Sequence, residues 1–64
     1  MRVYEKIRIY IDKHGLKQVA IATKAGIPYD VFIAMLNGKK ALYADDLRSI
    51  CIALNISPEF FIYS

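Results

Sequence analysis

Three glycines and two prolines punctuate this chain, and the stretches between them carry their apolar residues at helical spacing. Val3, Tyr4, Ile7, Tyr10 and Ile11 recur at three- and four-residue steps, which predicts one apolar face on a helix of residues 2 to 14. Gly15, after His14, then offers a left-handed cap. From Leu16 to Ala25 the chain predicts a short second helix that ends at Gly26, with Ala20, Ala22 and Ala25 small enough to let a neighbouring helix approach. Ile27-Pro28 breaks the pattern, because proline disfavours helical geometry at the residue before it and suits the first turn of a new helix. A third helix therefore spans Pro28 to Asn37 and stops at Gly38.

Asp45 and Asp46 favour a helix start through the macrodipole, and Leu47, Ile50, Cys51 and Leu54 follow at a spacing that puts them on one side. Ser57-Pro58-Glu59 reads as an N-cap, a first-position proline and a first-turn acid, opening a short last helix through Phe60, Phe61 and Ile62. The reading is thus all-α, with five helices in a single domain over residues 1–64.

At 64 residues there is room for one core, and the 56% hydrophobic content excludes a disordered chain. Cys51 has no partner for a disulfide; on the apolar side of the fourth helix it reads as a buried, reduced thiol. A domain this small without disulfides or metal relies on packing or association, which makes a homodimer the expected state. One histidine, His14, and no spaced cysteines give no metal-ligand set. Without a Gly-rich phosphate loop or a carboxylate pair placed for a shared pocket, the inventory points away from catalysis and from any cofactor. The longest apolar run, Val31 to Leu36, falls far short of the ~20 residues of a membrane span. Met1 to Lys13 mixes charges into its apolar residues, unlike a secretory signal, so a cytoplasmic protein is expected. Nine basic against six acidic residues leave a net charge of +3, which favours a polyanionic partner.

Leu16-Lys17-Gln18, Ile21-Ala22, Ala25-Gly26-Ile27, Phe32, Met35 and Asn37-Gly38-Lys39-Lys40 together resemble the phage-repressor and Cro (XRE-type) family of helix-turn-helix regulators. Leu47, Ile50, Ala53-Leu54-Asn55-Ile56-Ser57 and Phe61 extend the resemblance through the fourth helix and beyond it. It implies a lambda-repressor-like five-helix fold in which the second helix crosses the backbone of double-stranded DNA and the third enters the major groove. It also implies an operator-binding transcriptional regulator that acts as a repressor.

Carried over residue by residue, the resemblance makes Tyr29, Asp30, Ile33 and Ala34 the base readers. Gln18 would bind a phosphate at the start of the second helix and brace the third; Lys17, where the family commonly carries a hydroxyl, can meet a phosphate by its charge. Asn37, Lys39 and Lys40, with the backbone near Asn37-Gly38, would form a second phosphate clamp. Stepping 100° per residue independently puts Pro28, Phe32 and Met35 on one side of the third helix, with Asp30, Ile33, Ala34 and Asn37 opposite. The first set is expected in the core. Asp30 can accept from a cytosine amino group, and Ile33 and Ala34 can contact thymine methyls.

Two helix starts carry Lys17 and Tyr43 where a hydroxyl cap is common, a loss of about 1 kcal/mol each if uncompensated. Phe61 and Ile62 are expected in the core, whereas Phe60 and Tyr63 are candidates for a twofold dimer interface. A second reading keeps the fold but turns an apolar third helix toward a protein, as an antitoxin-like module or a regulator's partner, through Val31, Ile33 and Leu36.

Overall fold

A computed structural model describes residues 1–63 and contains five α-helices: α1 (Val3–Lys13), α2 (Gln18–Ala25), α3 (Tyr29–Leu36), α4 (Ala44–Leu54) and α5 (Glu59–Ile62). Each of the first four ends with the same closure. A residue with positive φ follows the last turn, and the next backbone N–H donates five residues back: Leu16 to Ile11 at 3.0 Å, Ile27 to Ala22 at 3.0 Å, Lys39 to Ala34 at 2.9 Å and Ile56 to Cys51 at 3.0 Å. Three of the four left-handed positions are the glycines; the fourth is Asn55, at φ 59°, a side chain that tolerates this region.

The helix starts differ more. Glu5 accepts from the Arg2 backbone N–H at 2.9 Å, and Asp46 accepts from that of Tyr43 at 3.0 Å, so an acid three residues in replaces the missing hydroxyl caps of α1 and α4. The loss expected at Tyr43 is thereby offset, while Lys17 caps α2 with no side-chain bond. Pro28, at ψ 141°, stays outside α3, which is shorter at both ends than the sequence predicts. Before α5 no side-chain cap forms: Ser57 contributes its carbonyl, accepting from Phe60 at 3.0 Å, and Pro58 is already helical in its dihedrals.

Every helix supplies the core. Ile7 and Ile11 of α1, Ile21 and Ala22 of α2, Phe32 and Leu36 of α3, Ile50 and Cys51 of α4 and Phe61 of α5 form one buried cluster. α2 packs on α4 and on α3, while α1 packs on α3 and α5. Two cations of α1 tie the bundle at the carbonyl ends of other helices: Arg8 donates to the Leu36 carbonyl at 3.2 Å and Lys6 to that of Phe61 at 3.0 Å.

Some expected core positions are exposed. Pro28 and Ala20 face solvent, because only Ala22 and Ala25 of the small residues in α2 turn toward the bundle. Ile62 is 48% exposed, since a helix of four residues has one inward position and Phe61 takes it. No single helix among the described residues is long and apolar enough to cross a membrane.

Candidate nucleic-acid interface

The chain bends by 112° between α2 and α3, across only Gly26, Ile27 and Pro28. Two short helices at 90–120° joined by a turn of three or four residues make a helix-turn-helix unit. The turn is fixed from both sides: Gly26 at φ 72° lets the chain leave α2, and the Pro28 carbonyl accepts the Phe32 N–H at 2.9 Å to begin the next turn. Ile27 packs against the core between them.

α3 divides into two sides. Phe32, Met35 and Leu36 are buried, whereas Tyr29 is 50% exposed, Asp30 is exposed, and Ile33 and Ala34 are partly buried. Tyr29 with Ile33 and Asp30 with Ala34 are each four residues apart, so these four side chains share one outward stripe. At eight residues the helix is ~12 Å long, comparable to the ~12 Å width of the major groove.

Leu36 corrects the sequence reading. It is 1% exposed, part of the buried cluster, with its carbonyl gripped by Arg8 of α1, and so it belongs to the core rather than to an apolar surface for a protein partner. The neighbouring apolar residues Val31 and Ile33 are themselves partly buried, which leaves no broad apolar face on α3.

Gln18, partly buried, opens α2 directly after the exposed Lys17. The first turn of α2 contains no acid and has no side-chain cap, so its free backbone N–H groups and positive dipole end are open to an anion. Thr23 does not compete for that end, because its hydroxyl donates back to the Val19 carbonyl at 2.9 Å.

Beyond α3, Asn37, Gly38, Lys39 and Lys40 are all exposed, but their backbone N–H groups are committed: Asn37 to Ile33, Gly38 to Met35, and Lys39 and Lys40 both to Ala34. The clamp expected here from backbone and lysines together therefore reduces to the side chains of Asn37, Lys39 and Lys40. No acid among the described residues pairs with Lys17, Lys39 or Lys40.

Two contacts behind this surface carry no sequence signal. Arg8 reaches across to α3, and Tyr4 of α1 lies over Gly38 so closely that a Cβ there would come within 2.6 Å of its ring and hydroxyl. Cys51 lies in the core; desolvation raises its thiol above the ordinary value and keeps it protonated. At the C-terminal end of the chain Phe60 is 51% exposed and Tyr63 82% exposed, with Phe60 edge-on to Tyr10 at 5.6 Å between ring centres.

The model of one protein family, described as a Cro/C1-type HTH DNA-binding domain, matches residues 6–62. No curated protein and no solved structure matches the chain.

Proposed function

Because the chain belongs to the Cro/C1-type helix-turn-helix DNA-binding family, we propose that it regulates transcription as a repressor, by occupying an operator with α3 in the major groove. The observation that carries this reading is the two-sidedness of α3: one side anchors the helix in the core and the other offers Tyr29, Asp30, Ile33 and Ala34 to base edges. Asp30 accepts from a cytosine amino group, Ile33 and Ala34 cover thymine methyls, and the Tyr29 hydroxyl is free to bond a base or a sugar-phosphate oxygen. Lys17 and Gln18, with the open end of α2, hold one phosphate, and Asn37, Lys39 and Lys40 hold another. Phosphate contacts fix where α3 sits, and the outward stripe then decides which sequence is tolerated.

A second copy joined through Phe60 and Tyr63 completes the reading, placing two copies of α3 about 34–36 Å apart on successive turns of one face of the duplex. Selection of bound duplexes from a random pool at fixed salt tests the proposal. Lys39→Ala or Lys40→Ala weakens binding to every sequence alike, while Tyr29→Ala or Asp30→Ala changes which sequences are preferred. Equal losses on all sequences for all four variants would remove the base-reading role, and absence of any duplex binding in dilute salt would remove the function. Sedimentation as a monomer at high concentration would remove the dimer.

A further inference from the structure

The start of α1 and the loop after α3 enclose an open groove of roughly 730 Å3, lined by Arg2, Tyr4, Lys6, Gly38 and Lys40 among others. Three of its lining residues are cations and none is an acid. Glu5, the nearest carboxylate in sequence, is turned to the Arg2 backbone N–H at 2.9 Å and does not line the groove. Tyr4 holds the two walls together, its ring seated on Gly38, and its hydroxyl makes no hydrogen bond to any described residue.

The geometry points to a further DNA contact: this groove takes a backbone phosphate of the duplex beyond those held by α2 and by Asn37, Lys39 and Lys40, with Arg2 supplying charge, the Tyr4 hydroxyl a directed donor and Lys40 standing between the two neighbouring phosphates. Gly38 is the physical link. It ends α3 and immediately precedes Lys39 and Lys40, so a DNA strand held by those lysines runs beside the groove that Tyr4 floors. The lining is mixed, with Met1, Val3, Ala41, Leu42 and Ile62 beside the polar residues, and a phosphate fits its polar part, where Arg2, Lys40 and the Tyr4 hydroxyl offer cationic and neutral donors and no carboxylate opposes an oxyanion. Lys6 is already engaged with the Phe61 carbonyl and takes no part in holding the phosphate. This assignment rests on the DNA-binding reading above and extends its footprint to α1.

The test is the affinity of the full chain for one duplex, followed from 50 to 200 mM salt for the unaltered protein and for Arg2→Ala, Tyr4→Phe, Lys13→Ala and Lys39→Ala. Each phosphate neutralised contributes about 0.9 to the slope of log affinity against log salt, so Arg2→Ala makes the slope shallower by about that amount. The advantage of the unaltered protein over Arg2→Ala therefore shrinks roughly 3.5-fold across that salt range. Tyr4→Phe keeps the ring on Gly38 and lowers affinity roughly three- to tenfold at every salt with the slope unchanged, since a neutral donor displaces no counterion. Lys13, exposed at the far end of α1, is the control for net charge and leaves the slope as it was.

If Lys39→Ala weakens binding while Arg2→Ala and Tyr4→Phe do not, the groove is off the DNA and this inference falls alone. If Lys13→Ala alters the slope as much as Arg2→Ala, the effect is overall charge and the inference falls again. Failure of the unaltered protein to bind any duplex would take the DNA reading and this extension together.

Discussion

Gly38→Ala tests the junction on which both the fold and the interface depend. Alanine at φ 74° enters a left-handed region that costs a residue with a Cβ about 1–2 kcal/mol. The smaller conformational freedom of alanine in the unfolded chain returns about 0.4–1 kcal/mol of this. Gly26 measures that backbone effect by itself, because its φ is 72° and a Cβ there meets nothing within 4 Å. At Gly38 the added Cβ also meets the Tyr4 ring and hydroxyl at 2.6 Å, and relieving such overpacking costs a further ~1–3 kcal/mol. The expected losses are thus about 1 kcal/mol for Gly26→Ala and about 2–4 kcal/mol for Gly38→Ala.

For a chain of this length the whole stability is of the order of 3–10 kcal/mol, so the second variant sits near the edge of folding. At about 4–8 °C per kcal/mol, Gly38→Ala lowers Tm by about 10 °C or more, against about 5 °C for Gly26→Ala, both readable by circular dichroism. Combining Gly38→Ala with Tyr4→Ala isolates the cause. Once the ring is gone, adding the alanine costs only what it costs at Gly26, and the double-mutant cycle reports the steric coupling. Equal melting temperatures for the two single variants, or a penalty at Gly38 that survives in the Tyr4→Ala background, would refute the assignment of the extra cost to Tyr4.

Other expectations follow from single contacts. Leu36→Ala loses about 2–5 kcal/mol in a urea melt, whereas Ile33→Ala, on the outward side, loses clearly less and shows its effect in DNA affinity instead. Asp46→Ala removes the acceptor at the Tyr43 N–H and destabilises α4 by about 1 kcal/mol in the same assay, a loss that Tyr43→Ser partly restores by supplying a hydroxyl cap. Burial raises the pKa of the Cys51 thiol on folding, so the native state holds its proton more tightly than the unfolded chain does. Stability therefore declines as pH rises past the unfolded value of about 8.5, and Cys51→Ala shows a shallower alkaline decline across pH 8 to 10 by urea melts.

The helices were legible because their signals are local. Spacing of apolar residues locates α1 and α4, and Gly15, Gly26 and Gly38 mark three of the helix ends, since a left-handed closure needs little beyond the residue that makes it. The fourth end escaped for the same reason in reverse: Asn55 adopts the glycine conformation without being glycine, and its sequence gives no comparable stop. The start of α3 moved by one residue because proline suits both a cap and a first helical position, and ψ at Pro28 decides between them.

What the pattern could not reveal are contacts between distant segments. A helical wheel puts Phe32 and Met35 inward, but Leu36 lies at the margin of that arc, and only the packing of α1 against α3 decides that it is core. The same long-range packing takes Arg8 to the end of α3 and Tyr4 to Gly38, pairs separated by 28 and 34 positions along the chain. These contacts make α1 the support of the candidate interface. It holds the last carbonyl of α3 through Arg8 and the loop bearing Lys39 and Lys40 through Tyr4, so the placement of the outward stripe depends on a helix that contributes no base reader. A change in α1 that leaves the fold intact can therefore shift DNA affinity, an effect that inspection of α2 and α3 alone would not anticipate.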